Sequence, residues 1–261
     1  MGRPKYEDWE LETRNKKLET ILLSISQKKY INSLQQKKFR TQYGTFFVEG
    51  EKMVAELLQS DFEIEYVFSV KGHQLSNDTI EVSEKEMKAI SALATPSNFL
   101  AVAKQKKQPV DIAQNNLILV LDNIKDPGNI GTIIRTADWF GVYTIVCSNE
   151  CVDVYNPKVV QATMGSIFRT TVVYNNLVDF FKENKTIPVY GALLEGDNVY
   201  QQPIKHKKAF LLMGSESFGI SKILEPFITN KIMIPKVGNA ESLNVAVATG
   251  ILCSAYRQIN Q

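Results

Sequence analysis

Apolar and polar positions follow two periods along this chain, and each change of period marks an element. Leu18, Ile21, Leu22, Ile25 and Ile31 recur at helical spacing, which predicts a helix over 18–34 after a polar, charged tail at 1–20. Thr45 to Val48 reads as a short strand and EGEKMVAELLQS as a helix with Met53, Val54, Leu57 and Leu58 inward. Ile64 to Val70 reads as a strand, and Ser83 to Leu93 as a short helix with Ser83 and Glu86 in capping-box spacing. Alternation of this kind describes a small α/β unit. The polar, basic stretch AKQKKQPVDIAQ, Ala103 to Gln114, has linker composition, so the chain divides into 1–104, a linker at 105–115, and a second unit at 116–261.

The second unit is organised around NLILVLDNIKDPGNIGTIIRTADWFG, Asn116 to Gly141. An apolar run (Leu117 to Leu121) leads into a polar hinge (Asp122 to Asn129), and then into Ile130, Ile133, Ile134, Ala137 and Phe140 at helical spacing. Strand, loop and helix in that order leave free N–H groups where the helix begins, a natural anion site beside Asn129 and Arg135. The alternation continues with strands at Tyr143 to Cys147, Thr171 to Tyr174, and Ile187 to Leu194. Helices are expected at Asn156 to Thr170 and over LVDFFKEN. Ala209 to Ser221 is a buried strand running into a glycine-flanked loop. KIMIP opens a last strand–loop–helix, whose helix is filled by Val245, Val247, Ala248, Ile251, Leu252 and Ala255. Repeated βα units imply a mostly parallel sheet with helices on both faces and ligands at the strand carboxyl ends.

Composition changes this picture little, but charge placement adds to it. The chain of 261 residues is 44% hydrophobic and 22% charged, with a net charge of +2. Residues 12–40 hold eight cations against Glu12 and Glu19, which leaves the remainder net negative by four. Within QKKYINSLQQKKFR, Lys28, Lys29, Lys37, Lys38 and Arg40 alternate with Tyr30 and Phe39. Such a pattern suits a phosphate backbone and stacked bases, or else a solvated basic helix face with its aromatics in the core. Cys147, Cys151 and Cys253 show no CxxC spacing, and with two histidines, His73 and His206, no common zinc motif can be assembled. We expect no metal, no membrane span, no signal peptide, and reduced thiols in a cytoplasmic protein.

Three apolar strands end in polar loops: DNIKDPGNIG, GSESFG after Met213, and PKVGNAESLN after Ile234. In a parallel sheet they share one edge and converge. Asn129 and Arg135, Glu216 and Ser217, and Ser242 and Asn244 then face a common space. Each residue also has an ordinary reading, Arg135 as a surface cation and Ser242 and Asn244 as helix caps. Glu216, straight after a buried strand, needs a partner.

The blocks DNIKDPGNIGTIIRTADWFG, LLMGSESFGIS and IPKVGNAESLNVAVATGILCSAYR resemble, in order, the three signature motifs of the SpoU (TrmH-type) RNA ribose 2′-O-methyltransferases of the SPOUT superfamily. KKFRTQYGTFFVEGEKMVAELL resembles the small RNA-binding substrate domain that precedes many of them. The resemblance implies a C-terminal trefoil knot, S-adenosylmethionine as cofactor, structured RNA as partner, and a homodimer that builds each active site from two subunits. Carried over by motif, the cofactor contacts fall on Gly214, Ile234 and Leu243, with Met213 and Leu193 beside them. The catalytic arginine maps to Arg135, and its companions to Asn129, Glu216, Ser242 and Asn244.

No histidine occurs in these blocks, and a guanidinium keeps its proton, so Arg135 reads as a bidentate clamp on RNA phosphate rather than a base. The neighbouring phosphate or a bound water then takes the 2′-hydroxyl proton. The two-domain arrangement resembles the ribosomal RNA enzymes of this family more than the tRNA ones, which implies ribosomal RNA over tRNA as substrate. A dinucleotide-binding oxidoreductase needs GxGxxG after the first strand, and PGNIG lacks that spacing. A non-catalytic RNA-binding protein on the same fold is the other alternative.

Overall fold

A computed structural model of the protein describes residues 23–106, 109, 112 and 115–260. The expected tail at 1–20, and Leu18, Ile21 and Leu22 of the first expected helix, lie outside the described residues. Within them, the first helix is α1 (Ile25–Ser33), opened by a capping box in which Ser24 and Gln27 exchange hydrogen bonds. It is followed by α2 (Lys37–Tyr43), β1 (Thr45–Glu49), α3 (Glu51–Leu58), β2 (Ile64–Val70), β3 (Ile80–Val82), α4 (Glu84–Ile90) and β4 (Phe99–Lys104). The sheet order is β1-β4-β2-β3. Ser83 and Glu86 form the expected capping box on α4. Neither β3 nor β4 is among the expected elements. The central strand β4 is buried along FLAVA, so it carries no alternation to betray it, and its last residues, Ala103 and Lys104, belong to the sheet rather than the linker.

The second sheet is built from β5 (Leu117–Leu121), β6 (Thr144–Ser148), β7 (Thr171–Asn175), β8 (Val189–Asn198), β9 (Ala209–Met213) and β10 (Asn230–Met233). All of its pairings are parallel, in the order β10-β8-β9-β5-β6-β7. Alternate residues of the buried central strand face opposite layers. Leu117, Leu119 and Leu121 pack with α5 (Pro127–Trp139), α6 (Pro157–Thr163) and α8 (Val245–Ile259). Ile118 and Val120 pack with α7 (Leu177–Glu183) and the short 3₁₀ helix Lys222–Phe227. Strand order reverses between β5 and β9, where ligands bind in sheets of this kind.

Two expectations about the helices need correction. The helix expected over 156–170 stops at Thr163, because Met164 and Gly165 both take positive φ, and a separate 3₁₀ turn, Ser166–Phe168, follows. Val247 does not fill the core. It is exposed, while Ala246, Thr249, Cys253 and Tyr256 are buried beside Val245, Leu252 and Ala255.

The two sheets share one hydrophobic core. Phe46 and Phe62 of the first unit belong to the same buried cluster as Ile167 and Phe168 of the second, and the ring centres of Phe62 and Phe168 lie 5.5 Å apart. Arg40 overturns its reading as an RNA-facing cation, for it is 2% exposed. Its Nη2 pairs with Asp153 at 2.6 Å, and its Nη1 donates to the carbonyls of Leu34 and Gln35. A buried guanidinium must find such partners, and here it ties α2 to the second unit. Lys28, Lys29, Lys37 and Lys38 stay exposed. Replacing Arg40 by alanine should cost about 3 kcal/mol in urea unfolding, since it strands the Asp153 carboxylate; a cost below about 1 kcal/mol would mean that the pair does not hold the two units together.

Candidate active site

The loop after β5 is shaped by its own polar residues. Asp126 is the N-cap of α5, its Oδ1 accepting the Asn129 N–H at 2.8 Å, and Pro127 follows in the first turn, where its missing donor costs nothing. Asn129 is thereby set on the first turn of α5 with its side chain half-buried. Its Nδ2 donates to Glu216, and its Oδ1 accepts from Asn244 Nδ2 at 2.9 Å. Asn244 is at the same time the N-cap of α8, accepting from the N–H groups of Ala246 and Val247 at 3.0 and 3.3 Å. One side chain thus does two things: its oxygen caps α8 and its amide donates to Asn129.

This chain of bonds joins all three polar loops. Asn129 keeps a second amide proton and Glu216 further lone pairs, enough to orient a hydroxyl placed against them. Arg135 stands exposed on α5, one to two turns along from Asn129, and among the described residues it makes no hydrogen bond or ion pair. Ser242 is also exposed and caps nothing.

The residues expected to hold a cofactor flank the same loops. Met213 is buried at the end of β9, Leu193 and Ile234 are half-buried, Gly214 is partly exposed, and Leu243 is exposed. Gly214 admits no side chain. A Cβ there would collide with the backbone of Gly219 and Ile220, because the loop folds back on itself through paired N–H···O bonds between Ser215 and Gly219. Residues 236–243 are exposed and run without a backbone–backbone hydrogen bond among the described residues, which leaves their N–H and C=O groups free of backbone partners.

Several positioning groups were not expected from the sequence. Asp122 is buried; its N–H donates to Met213 O at 2.9 Å and its Oδ2 accepts the Ser221 N–H at 2.7 Å, pinning both ends of the GSESFG loop to β5. A polar residue directly after a buried strand was the available signal. Asn123 adopts φ +57, stabilised by its N–H bond to Ser148 Oγ at 3.1 Å. Cys151 accepts the Ile124 N–H and donates to Leu121 O, both at 3.3 Å. The neighbouring Cys147 thiol and, to a lesser degree, the Ile124 N–H draw the Cys151 pKa down to about 7, while the proximity of Cys151 and then burial push Cys147 well up. Neither cysteine carried a motif.

Residues 116–254 match the SpoU rRNA Methylase family, and residues 26–101 match the MRM3-like substrate binding domain. The 23S rRNA (guanosine(2553)-2′-O)-methyltransferase RlmP of Bacillus subtilis is 33% identical over 227 residues, covering 84% of this chain and 91% of the relative. Among solved structures, a protein of the TrmH family from Porphyromonas gingivalis superposes with a TM-score of 0.81 at 38% identity, over 90% of this chain and 98% of that one. An AdoMet-bound rRNA methyltransferase from Sinorhizobium meliloti superposes at 0.80 with 30% identity, over 90% and 96% of the two chains.

Gly214→Ala provides a direct check on the fold of the loop. The added methyl has no space without moving the 219–220 backbone, so thermal unfolding should show a loss of about 2 kcal/mol; an unchanged melting temperature would mean that the loop can open at no cost.

Proposed function

This chain belongs to the SpoU rRNA Methylase family, and from that premise we propose that it transfers the methyl group of S-adenosylmethionine to a ribose 2′-hydroxyl of ribosomal RNA. The observation that carries the reading is the Asn244–Asn129–Glu216 chain, with the exposed Arg135 further along the same helix α5. It offers hydrogen bonds for a ribose and a cation for the phosphate next to it, and nothing in it resembles a dinucleotide site.

The residues fit the cofactor. The exposed backbone of residues 236–243, without backbone partners among the described residues, and the exposed apolar side chain of Leu243 suit a ligand with both polar and apolar parts. Gly214, Ile234 and Leu243 would hold it, with Met213 and Leu193 beneath. Bound there, S-adenosylmethionine supplies an electrophilic methyl group. Arg135 grips the phosphate adjoining the target nucleotide in a fork of two hydrogen bonds. Asn129 and Glu216 orient the 2′-hydroxyl, and Asn244 keeps the Asn129 amide turned so that its N–H groups face Glu216 and the substrate. Ser242 and Asn244 set the shape of the last loop. The hydroxyl proton leaves to that phosphate or to a bound water, since a guanidinium has no lone pair to take it. Much of the acceleration in such a site comes from holding the reacting atoms in line.

The N-terminal unit, residues 1–104, grips structured RNA through Lys28, Lys29, Lys37 and Lys38, which are exposed on α1 and α2. Residues 116–261 form the methyl-transfer unit, and 105–115 connect the two. The chain leaves β10 at the sheet edge and returns to cap α8 beside Asn129, a path that supports a trefoil-knotted C-terminus. Exposed apolar residues on and beside α5 and α8, among them Trp139 at 85% and Val247 at 53%, support a homodimer formed across these helices. A cytoplasmic location goes with this reading. Among the described residues no helix is long and apolar enough to cross a membrane.

Arg135→Ala should lower methyl transfer to RNA by at least about a hundredfold, the scale expected when a fixed electrostatic contact is lost from a transition state. Its affinity for S-adenosylmethionine by calorimetry should stay within about twofold of the parent, because Arg135 faces the RNA. Near-normal turnover would overturn the role given to Arg135, and absence of cofactor binding in the parent protein would favour a non-catalytic RNA-binding protein on the same fold.

A further inference from the structure

Arg169 follows the 3₁₀ turn Ser166–Phe168 and leads into β7. Its Nη1 donates to Glu56 Oε2 at 2.6 Å, while its Nε and Nη2 reach Asp138 Oδ2 at 3.0 and 2.9 Å. Glu56 belongs to α3 of the N-terminal unit. Asp138 belongs to α5, three residues beyond Arg135 and so close to the same helix face. One guanidinium thus joins the RNA-gripping unit to the helix that carries the phosphate clamp. The turn before it is shaped for this contact: Gly165 has φ +97, and a Cβ at that position would collide with the Glu56 carboxylate. The positive φ is what asks for glycine at 165; a side chain there would also have to displace the flexible end of Glu56.

The charges around this junction balance closely. Lys52 approaches Glu56 only to 4.0 Å and is well exposed, so among the described residues Arg169 is the one cation in hydrogen-bonding contact with both carboxylates. A partly exposed ion pair adds little to folding, about 0–1 kcal/mol. Its direction matters more, because a guanidinium fork fixes the angle between the groups it holds. Without it, Glu56 and Asp138 would face each other as like charges and push the two units apart.

We propose that Arg169 is a positioning residue of the methyl-transfer site, holding the N-terminal unit at a fixed orientation to Arg135 so that RNA gripped by one presents its ribose to the other. The inference rests on the reading of the protein as an RNA methyltransferase, but half of its test does not. In the full chain, Arg169→Ala should lower kcat/KM for RNA about tenfold or more at a temperature where the variant is fully folded, with the Kd for S-adenosylmethionine within about twofold of the parent; displacing reacting groups by about an ångström is enough for such a loss. Arg169→Lys keeps the charge without the fork and should recover part of the activity. Adding Glu56→Gln to Arg169→Ala removes one of the two like charges and should cost nothing further, recovering part of the loss, since the contact is already broken and the repulsion goes with the charge.

Independently of activity, spin labels at Glu84→Cys and Lys158→Cys, both exposed positions in different units, in a chain diluted with excess unlabelled protein so that each assembly carries at most one labelled subunit, should give one narrow distance in the parent and a broader distribution with Arg169→Ala. The three native cysteines are buried and should not take the label. A distance distribution as narrow as the parent's, or a loss of cofactor affinity that matches the loss of turnover, overturns the proposal. If the parent itself fails to methylate RNA while the distance broadens as expected, the coupling stands and the functional reading falls.

Discussion

The side chain of Asn129 is the constraint on which the site depends. Its amide donates to one loop and its carbonyl oxygen accepts from another, so three segments that are far apart in the chain are held together by a single planar group. An asparagine suits this task because it presents a donor and an acceptor in one rigid plane; aspartate would repel Glu216, and leucine would satisfy neither neighbour. Its own position is secured from below by the Asp126 cap, and its partner Asn244 is secured by capping α8. Two helix starts are thus brought face to face, and the backbone requirement for capping is what gives the site its order.

Around that centre the fold works as a pair of units with one core. The parallel sheet delivers β5 and β9 side by side, with Asp122 pinning the loop between them, whereas β10 lies at the edge and its chain must travel back to reach Asn129. The N-terminal sheet is joined to this arrangement by Arg40 with Asp153, by Arg169 with Glu56 and Asp138, and by the rings of Phe46, Phe62, Tyr155 and Phe168. Shared burial of this kind resists the independent movement expected of two domains on a flexible tether. RNA binding and methyl transfer therefore take place on one body.

Much of the geometry of the candidate site is legible in the amino-acid sequence, and the reasons are local. The strand–loop–helix at 116–141 announces itself by a change of period and by Pro127 and Gly128 at the hinge, and the meeting of three loops follows from a parallel sheet. Glu216 after a buried strand reads as a carboxylate in need of a partner; it does bond Asn129, but it lies exposed, so its geometry rather than burial brings the two together. What the sequence hides depends on contacts distant along the chain. Arg40 looks like its neighbours Lys37 and Lys38 because its partner lies 113 residues away. The break at Met164 and Gly165 makes room for Glu56 of another unit, and β4 is concealed because a strand buried on both faces shows no alternation. Val247 fits an apolar stripe by spacing alone, and only the packing of α8 on α5 turns it outward.

The chemistry of the product tests the proposed activity most directly. Incubating the protein with unmodified ribosomal RNA and methyl-labelled S-adenosylmethionine, then digesting the RNA with alkali, should leave the label in an alkali-resistant dinucleotide, because a methylated 2′-oxygen cannot attack the adjoining phosphodiester. Label recovered on a base in ordinary mononucleotides would contradict it.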